Sequence, residues 1–165
     1  DASGELLGKE GDGEALLDAI LNRTAALTAF EQLGGAQRSL DMARDYSLQR
    51  FCFGRQIGSY QAIKHRLADM YVKVEMARSN CYYAAWALSS SPKDIAESAA
   101  VARIAVCEAF SFAAQENVQI HGGIGFTWQA DPHLFLKRMK QQEYSFGSAN
   151  LWKEKLYKVL ANKAA

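Results

Sequence analysis

Between Ile63 and Leu88, the positions Ile63, Leu67, Met70, Val74, Ala77, Cys81, Ala84 and Leu88 alternate spacings of four and three residues without a break. A strand sends successive side chains to opposite faces and cannot gather such a set, whereas an α-helix lines it up along one side. The pattern is that of a seam in a left-handed helix bundle, so it predicts a long helix with a partner along its length. Lys64, Arg66, Asp69, Lys73, Glu75 and Arg78 fall off the seam and read as a solvated face.

Helical spacing continues on either side of this stretch. From Glu14 towards Arg50, the residues Leu17, Ile20, Leu21, Thr24, Leu27, Leu33, Leu40 and Ala43 describe one long helix. The Gly34-Gly35 pair inside it costs about 1 kcal/mol per glycine relative to alanine, which points to a close helix contact there. Ser89-Ser90-Ser91-Pro92 ends the second helix, and Pro92 or Asp94 begins a third carrying Ile95, Ala99, Ala102, Val106, Ala109 and Ala113. After a polar stretch from Thr127 to Asp131, Pro132 suits the first turn of a helix through Leu134, Leu136, Met139 and Gln142, closed by Gly147. A last amphipathic helix, Leu151 to Leu160, has Trp152, Leu156, Val159 and Leu160 on one side. With no strand pattern anywhere, the expected fold is all-α, an up-and-down bundle of four to five helices over residues 14–165. Residues 1–13, with Gly4, Gly8, Gly11 and Gly13 and no initiator methionine, read as an irregular tail of an upstream domain or as a processed terminus.

Composition narrows the function classes. A chain of 165 residues, 49% hydrophobic and 22% charged, is long enough for one domain and one core. A net charge of +1 argues against a general nucleic-acid binder, which needs a basic face. The odd cysteine count, Cys52, Cys81 and Cys107, with the last two inside apolar patterns, points to free thiols and a reducing compartment. No apolar run reaches the roughly 18 residues of a membrane span, so a cytoplasmic location is expected.

Two corners interrupt the helices. At Gln119 to Phe126, reading Gln-Ile-His-Gly-Gly-Ile-Gly-Phe, three glycines break an alanine-rich helix. They suit a helix C-cap, or a bare backbone that offers N–H groups to an anion. Without a preceding strand they are not a dinucleotide fingerprint. At Arg50 to Gln61 the chain turns through Gly54 and Gly58, with Ser59 as a candidate N-cap. Phe51, Phe53 and Tyr60 suit a structural plug there, and Arg50 or Arg55 suits phosphate binding through the guanidinium fork.

Taken together, Arg50, Phe53-Gly54, Gln61, Gln119, Gly122-Gly123 and Gly125-Phe126 stand in the order and spacing of the C-terminal helical domain of acyl-CoA dehydrogenases. The resemblance runs from about Leu16 to Leu160 and includes Phe-Gly-Arg-Gln-Ile-Gly-Ser-Tyr-Gln-Ala-Ile-Lys-His-Arg-Leu-Ala-Asp-Met. It implies FAD at a subunit interface, with one subunit's bundle holding the adenosine-diphosphate end of its neighbour's flavin. On that resemblance Arg50 meets the pyrophosphate and Gln61 lies by the adenosine half. Phe53 is a further cofactor contact, and Gln119, Ile120, His121, Gly122 and Gly123 give backbone and amide contacts. An acyl-CoA substrate and a homo- or hetero-tetramer are the implied partners.

The resemblance fails at the catalytic base. Members of the family remove the α-proton of the acyl group with a glutamate, commonly nine residues after the arginine matching Arg138. Here that position is Gly147, and Ala149 replaces the threonine that usually follows. The alternative glutamate position, on the first helix of the domain, falls near Thr24. Glu31 lies two turns further on, about 10 Å along the axis, and Glu143 one turn before Gly147. No catalytic residue is therefore expected. The combination resembles the non-catalytic subunits of heteromeric bacterial acyl-CoA dehydrogenases of steroid side-chain degradation. Two other readings stay open: a bundle that only drives assembly, and a homomeric dehydrogenase with a relocated base at Glu31 or Glu143.

Overall fold

A computed structural model describes Gly4, Leu6 and residues 8–164. Of the irregular segment expected over 1–13, residues 1–3, 5 and 7 lie outside the described residues, and 8–12 form bends and turns. Five helices follow: α1 (Gly13–Gln49), α2 (Gln61–Ser90), α3 (Ile95–His121), α4 (Pro132–Tyr144) and α5 (Ala149–Ala164). The all-α bundle expected from periodicity is borne out.

Helices α1 and α3 run parallel and in register. Gln32 meets Cys107, Gly35 meets Phe110 and Tyr46 meets His121, every pair 75 residues apart. Between them α2 descends, pairing Tyr82 with Phe30, Arg78 with Gln37 and Arg66 with Glu116. The α5 helix also descends along α3, through Lys153–Glu108 near its start and Lys163–Glu97 near its end.

The α2 seam is the core line that its spacing predicts: Met70, Val74, Ala77, Cys81 and Ala84 are fully buried. The stripe read for α1 needs correction, because Leu17, Ile20 and Leu27 are 56, 55 and 66% exposed. Its buried face is instead Ala25, Ala26, Ala29, Leu33, Ala36, Leu40 and Ala43. Interaxial distance depends on the side chains at the contact, and alanines on both α1 and α3 let these two backbones come close. Leucine periodicity marked the helix but not its inward side.

Two local expectations are also revised. The first corner contains a minimal antiparallel hairpin, with Phe51 opposite Gln56 and Cys52 opposite Arg55. Its two-residue turn, Phe53-Gly54, has φ of 51° and 78°, the pair of positive values that a tight hairpin of this twist requires. Ser59 does not cap α2; its hydroxyl donates to the Gln56 carbonyl at 2.7 Å, and Tyr60 holds the cap position.

The double glycine in α1 resolves into two different residues. A Cβ on Gly35 would stand 2.5 Å from Phe110 Cζ, whereas one on Gly34 would meet nothing within 4 Å. Gly35 is thus the close contact, and Gly34 only weakens the helix. Gly34→Ala is expected to raise stability by about 1 kcal/mol. Gly35→Ala, which drives a methyl into a buried ring, is expected to lower it by about 1–3 kcal/mol. Urea denaturation of the two variants checks both signs.

Candidate functional site

Because α1 and α3 are parallel, their C-terminal ends lie together, and each carries one of the two corners. The Tyr46 and His121 rings stack there at 4.1 Å with an interplanar angle of 23°. Arg50 follows Tyr46 by one turn, its N–H bonded to the Tyr46 carbonyl at 2.9 Å, and His121 directly precedes Gly122. The stack therefore joins the arginine corner to the glycine corner at one end of the bundle.

The two arginines of the first corner differ. Arg55 lies 3.9 Å over the Tyr60 ring, and the Tyr60 hydroxyl donates to the Cys52 carbonyl at 3.0 Å. Arg50 is exposed, and its guanidinium has no ion-pair or hydrogen-bond partner among the described residues. Phe53, 92% exposed, and Phe51 stand clear of the fold and do not plug the corner. Gln61 and Gln119 are exposed as well.

Each glycine in the second corner has its own reason. Gly122 ends α3 with φ +64°, and its N–H is spent on the carbonyls of Val118 and Gln119, so it is not free for an anion. Gly125 is buried; a Cβ there would stand 2.9 Å from the Val118 carbonyl oxygen and 3.0 Å from His121 Cβ. Gly123 has neither a positive φ nor any atom within 4 Å of a built Cβ, so nothing within the chain requires it. The Ile120 side chain points into the core and leaves only its main chain for a ligand.

His121 is half-buried. Its Nδ1 donates to the Asn117 carbonyl at 2.8 Å, which fixes the neutral tautomer and leaves Nε2 as an acceptor. Burial pushes its pKa below the ordinary value, partly offset by the Asn117 carbonyl.

Around Gly147 the backbone is tightly determined. Phe146 and Gly147 both have positive φ, 60° and 98°. A Cβ on Gly147 would stand 2.4 Å from Leu151 Cδ2 and 3.3 Å from the Trp152 indole nitrogen. The same indole nitrogen donates to the Phe146 carbonyl at 3.0 Å. From the other side Arg103, 1% exposed, donates to the carbonyls of Gln142 and Ser145, the latter at 2.6 Å, and to the Gln32 amide oxygen. Sequence reasoning missed Arg103; the available signal was one arginine on the otherwise apolar run from Ala99 to Cys107. The two alternative carboxylates are engaged. Glu31 pairs with Arg138, whose Nε donates to it at 3.0 Å, and Glu143 pairs with Lys140 at 2.8 Å.

Residues 11–161 match the family model for the acyl-CoA dehydrogenase C-terminal domain. The chain belongs to the acyl-CoA dehydrogenase family. It is 44% identical to the acyl-CoA dehydrogenase IpdE2 of Mycobacterium tuberculosis over 132 residues, covering 80% of this chain and 38% of that protein. Identity to IpdE2 of Mycolicibacterium smegmatis is 45% over 141 residues, 86% of this chain and 40% of that one. The fold superposes on butyryl-CoA dehydrogenase from Megasphaera elsdenii with a TM-score of 0.89 at 28% identity, covering 94% of this chain and 40% of that structure. The chain thus spans about two fifths of these relatives. Among the described residues, no helix is long and apolar enough to cross a membrane.

A histidine whose folded pKa lies below its unfolded value keeps the unfolded state richer in protons over the interval between the two. Stability therefore rises with pH across that interval and is lost as pH falls below the ordinary value of 6.5. His121→Phe, which preserves the stack on Tyr46, is expected to flatten the fall in melting temperature between pH 7 and pH 5. Thermal denaturation of both proteins across that range checks it.

Proposed function

We propose that this bundle is the C-terminal domain of an FAD-dependent acyl-CoA dehydrogenase, holding the adenosine-diphosphate end of a flavin carried mainly by a neighbouring polypeptide. The observation that carries this reading is the Tyr46–His121 stack, which sets the free Arg50 and the open backbone at Gly123 on one exposed end. The donor set fits the group: a permanently charged fork suits a pyrophosphate, and a Cα without a side chain lets it approach the chain. Arg50 would meet the phosphates, Phe53 and Gln61 the adenosine half, and Gln119, Ile120, His121 and Gly123 would contribute amide, ring and main-chain contacts, with Gly122 limited to its carbonyl because its N–H is spent at the end of α3. Bound FAD supplies a two-electron acceptor for α,β-desaturation of an acyl-CoA thioester.

We further infer that this chain carries no base of its own. Position 147 supports this reading, since its φ of 98° is a backbone conformation that a residue with a side chain adopts only under strain. Glu31 and Glu143 are held in ion pairs, which argues against a relocated base. Of the two expected assemblies, a chain without a base is compatible with the hetero-tetramer, in which a different chain abstracts the proton. Free Cys52, Cys81 and Cys107 agree with a cytoplasmic setting.

Arg50→Ala in the assembled full-length enzyme is expected to lower flavin retention at least tenfold in a desalting assay read at the flavin absorbance. Gly123→Ala is expected to do the same with an unchanged melting temperature of the flavin-free protein. Unchanged flavin content in both variants would sink the proposed role. Expression of the full-length gene alone and with its genomic neighbour tests the missing base. Dye-linked acyl-CoA oxidation is expected only for the pair, and Gly147→Glu is expected not to confer it on the chain alone.

A further inference from the structure

The α2 helix carries a second seam. Ala68, Val72, Met76, Ser79, Tyr83 and Trp86 recur at spacings of three and four residues on the side opposite the buried line from Met70 to Ala84, and all six are exposed. Val72, Met76, Tyr83 and Trp86 are each at least half exposed. None of the six is charged; the charges of this helix stand to either side, Glu75 and Arg78 towards α1 and Lys73 towards α3. A continuous apolar strip from which charge is excluded has the composition of an interface core, not of a solvated face.

The order of sizes along the strip makes it complementary to itself. Laid antiparallel on a second copy, about a two-fold axis between Ala77 and Arg78, Trp86 meets Ala68, Tyr83 meets Val72 and Met76 meets Ser79, each a larger side chain on a smaller one. On the α1 side Glu75 comes opposite Arg78 of the second copy. A parallel pairing would instead set Trp86 on Trp86 and Glu75 on Glu75, so size and charge both select the antiparallel one. Beside the strip, between α1 and α2, runs a groove of about 330 Å³ lined in part by Phe30, Gly34, Arg38 and Tyr82. The same two-fold brings Tyr71 and Glu75 of the second copy over it. A Cβ on Gly34 would meet nothing within 4 Å and its φ is not positive, so the chain itself does not require this glycine, while a bare Cα in the groove admits a partner's side chain. A strip about 27 Å long and about 10 Å wide buries roughly 500 Å² in a pair, and the groove widens the contact towards the roughly 1,200 Å² of a stable interface.

We propose that the outer face of α2, with the groove at Gly34, binds the same face of a second copy of this chain, the two α2 helices lying antiparallel about a two-fold axis. The proposal rests on the oligomeric reading above and makes it specific: two base-free chains touch each other directly, along the side of the bundle and not at its flavin end. The test uses the assembled full-length enzyme, its mass read by light scattering after size exclusion and its flavin by absorbance. Met76→Lys, at an exposed position, is expected to halve the mass and leave the flavin content unchanged. Gly34→Ala, which the fold itself tolerates, is expected to weaken the association about tenfold in sedimentation equilibrium. With Cys52→Ser as the background, the double variant Ala68→Cys/Trp86→Cys is expected to give a covalent dimer of this chain under mild oxidation, and each single variant none. A mass unchanged by Met76→Lys, the result if another part of the full-length chain covers α2, would overturn the proposal, and flavin still lost on Arg50→Ala would leave the flavin reading standing. Covalent dimers from either single variant, or an association untouched by Gly34→Ala, would overturn it as well.

Discussion

The parallel contact between α1 and α3 sets the rest of the molecule. Three pairs at a constant separation of 75 residues, Gln32 with Cys107, Gly35 with Phe110 and Tyr46 with His121, hold the helices in one register over about four turns. Alanine on both faces makes the approach close, and Gly35 admits the Phe110 ring where even a methyl would not fit. A slip of one residue would rotate each helix by about 100° and separate all three pairs. Functional geometry follows from the same register, because it is what places the end of α1 beside the end of α3.

Two residue choices then shape the exposed end. Arg55 rests on the Tyr60 ring, whereas Arg50 has no partner among the described residues to fix its guanidinium. Gly122 and Gly125 serve the turn itself, one by its backbone angle and one by close packing, so only Gly123 lacks a reason within the chain. The proposed nucleotide contact rests on such groups, those to which the fold itself gives no role.

Much of this was legible in the sequence. The α2 seam had an unambiguous period because its partners lie along one side, and the glycine corners stood out against alanine-rich helix. Where reading by leucines failed, at Leu17, Ile20 and Leu27, the cause is physical. A helix whose neighbour sits very close buries its smallest side chains, so its large apolar residues point elsewhere. Arg103 was illegible for a related reason. Arginine is almost never fully buried, and its partners are main-chain oxygens of Gln142 and Ser145, about 40 residues away and silent in a side-chain pattern. Ser59 misled because a hydroxyl that can cap a helix can equally close the turn before it.

The turn after α4 is gripped from two directions, by the Arg103 guanidinium beneath Ser145 and by the Trp152 indole on the Phe146 carbonyl. Of the three tryptophans, Trp152 is fully buried while Trp86 and Trp128 are 50 and 85% exposed. An indole shielded from water emits at shorter wavelength than one in solvent, so the blue edge of the intrinsic fluorescence belongs to Trp152 alone. The chain carries its own optical label at the one segment whose shape sets whether a carboxylate can stand at position 147.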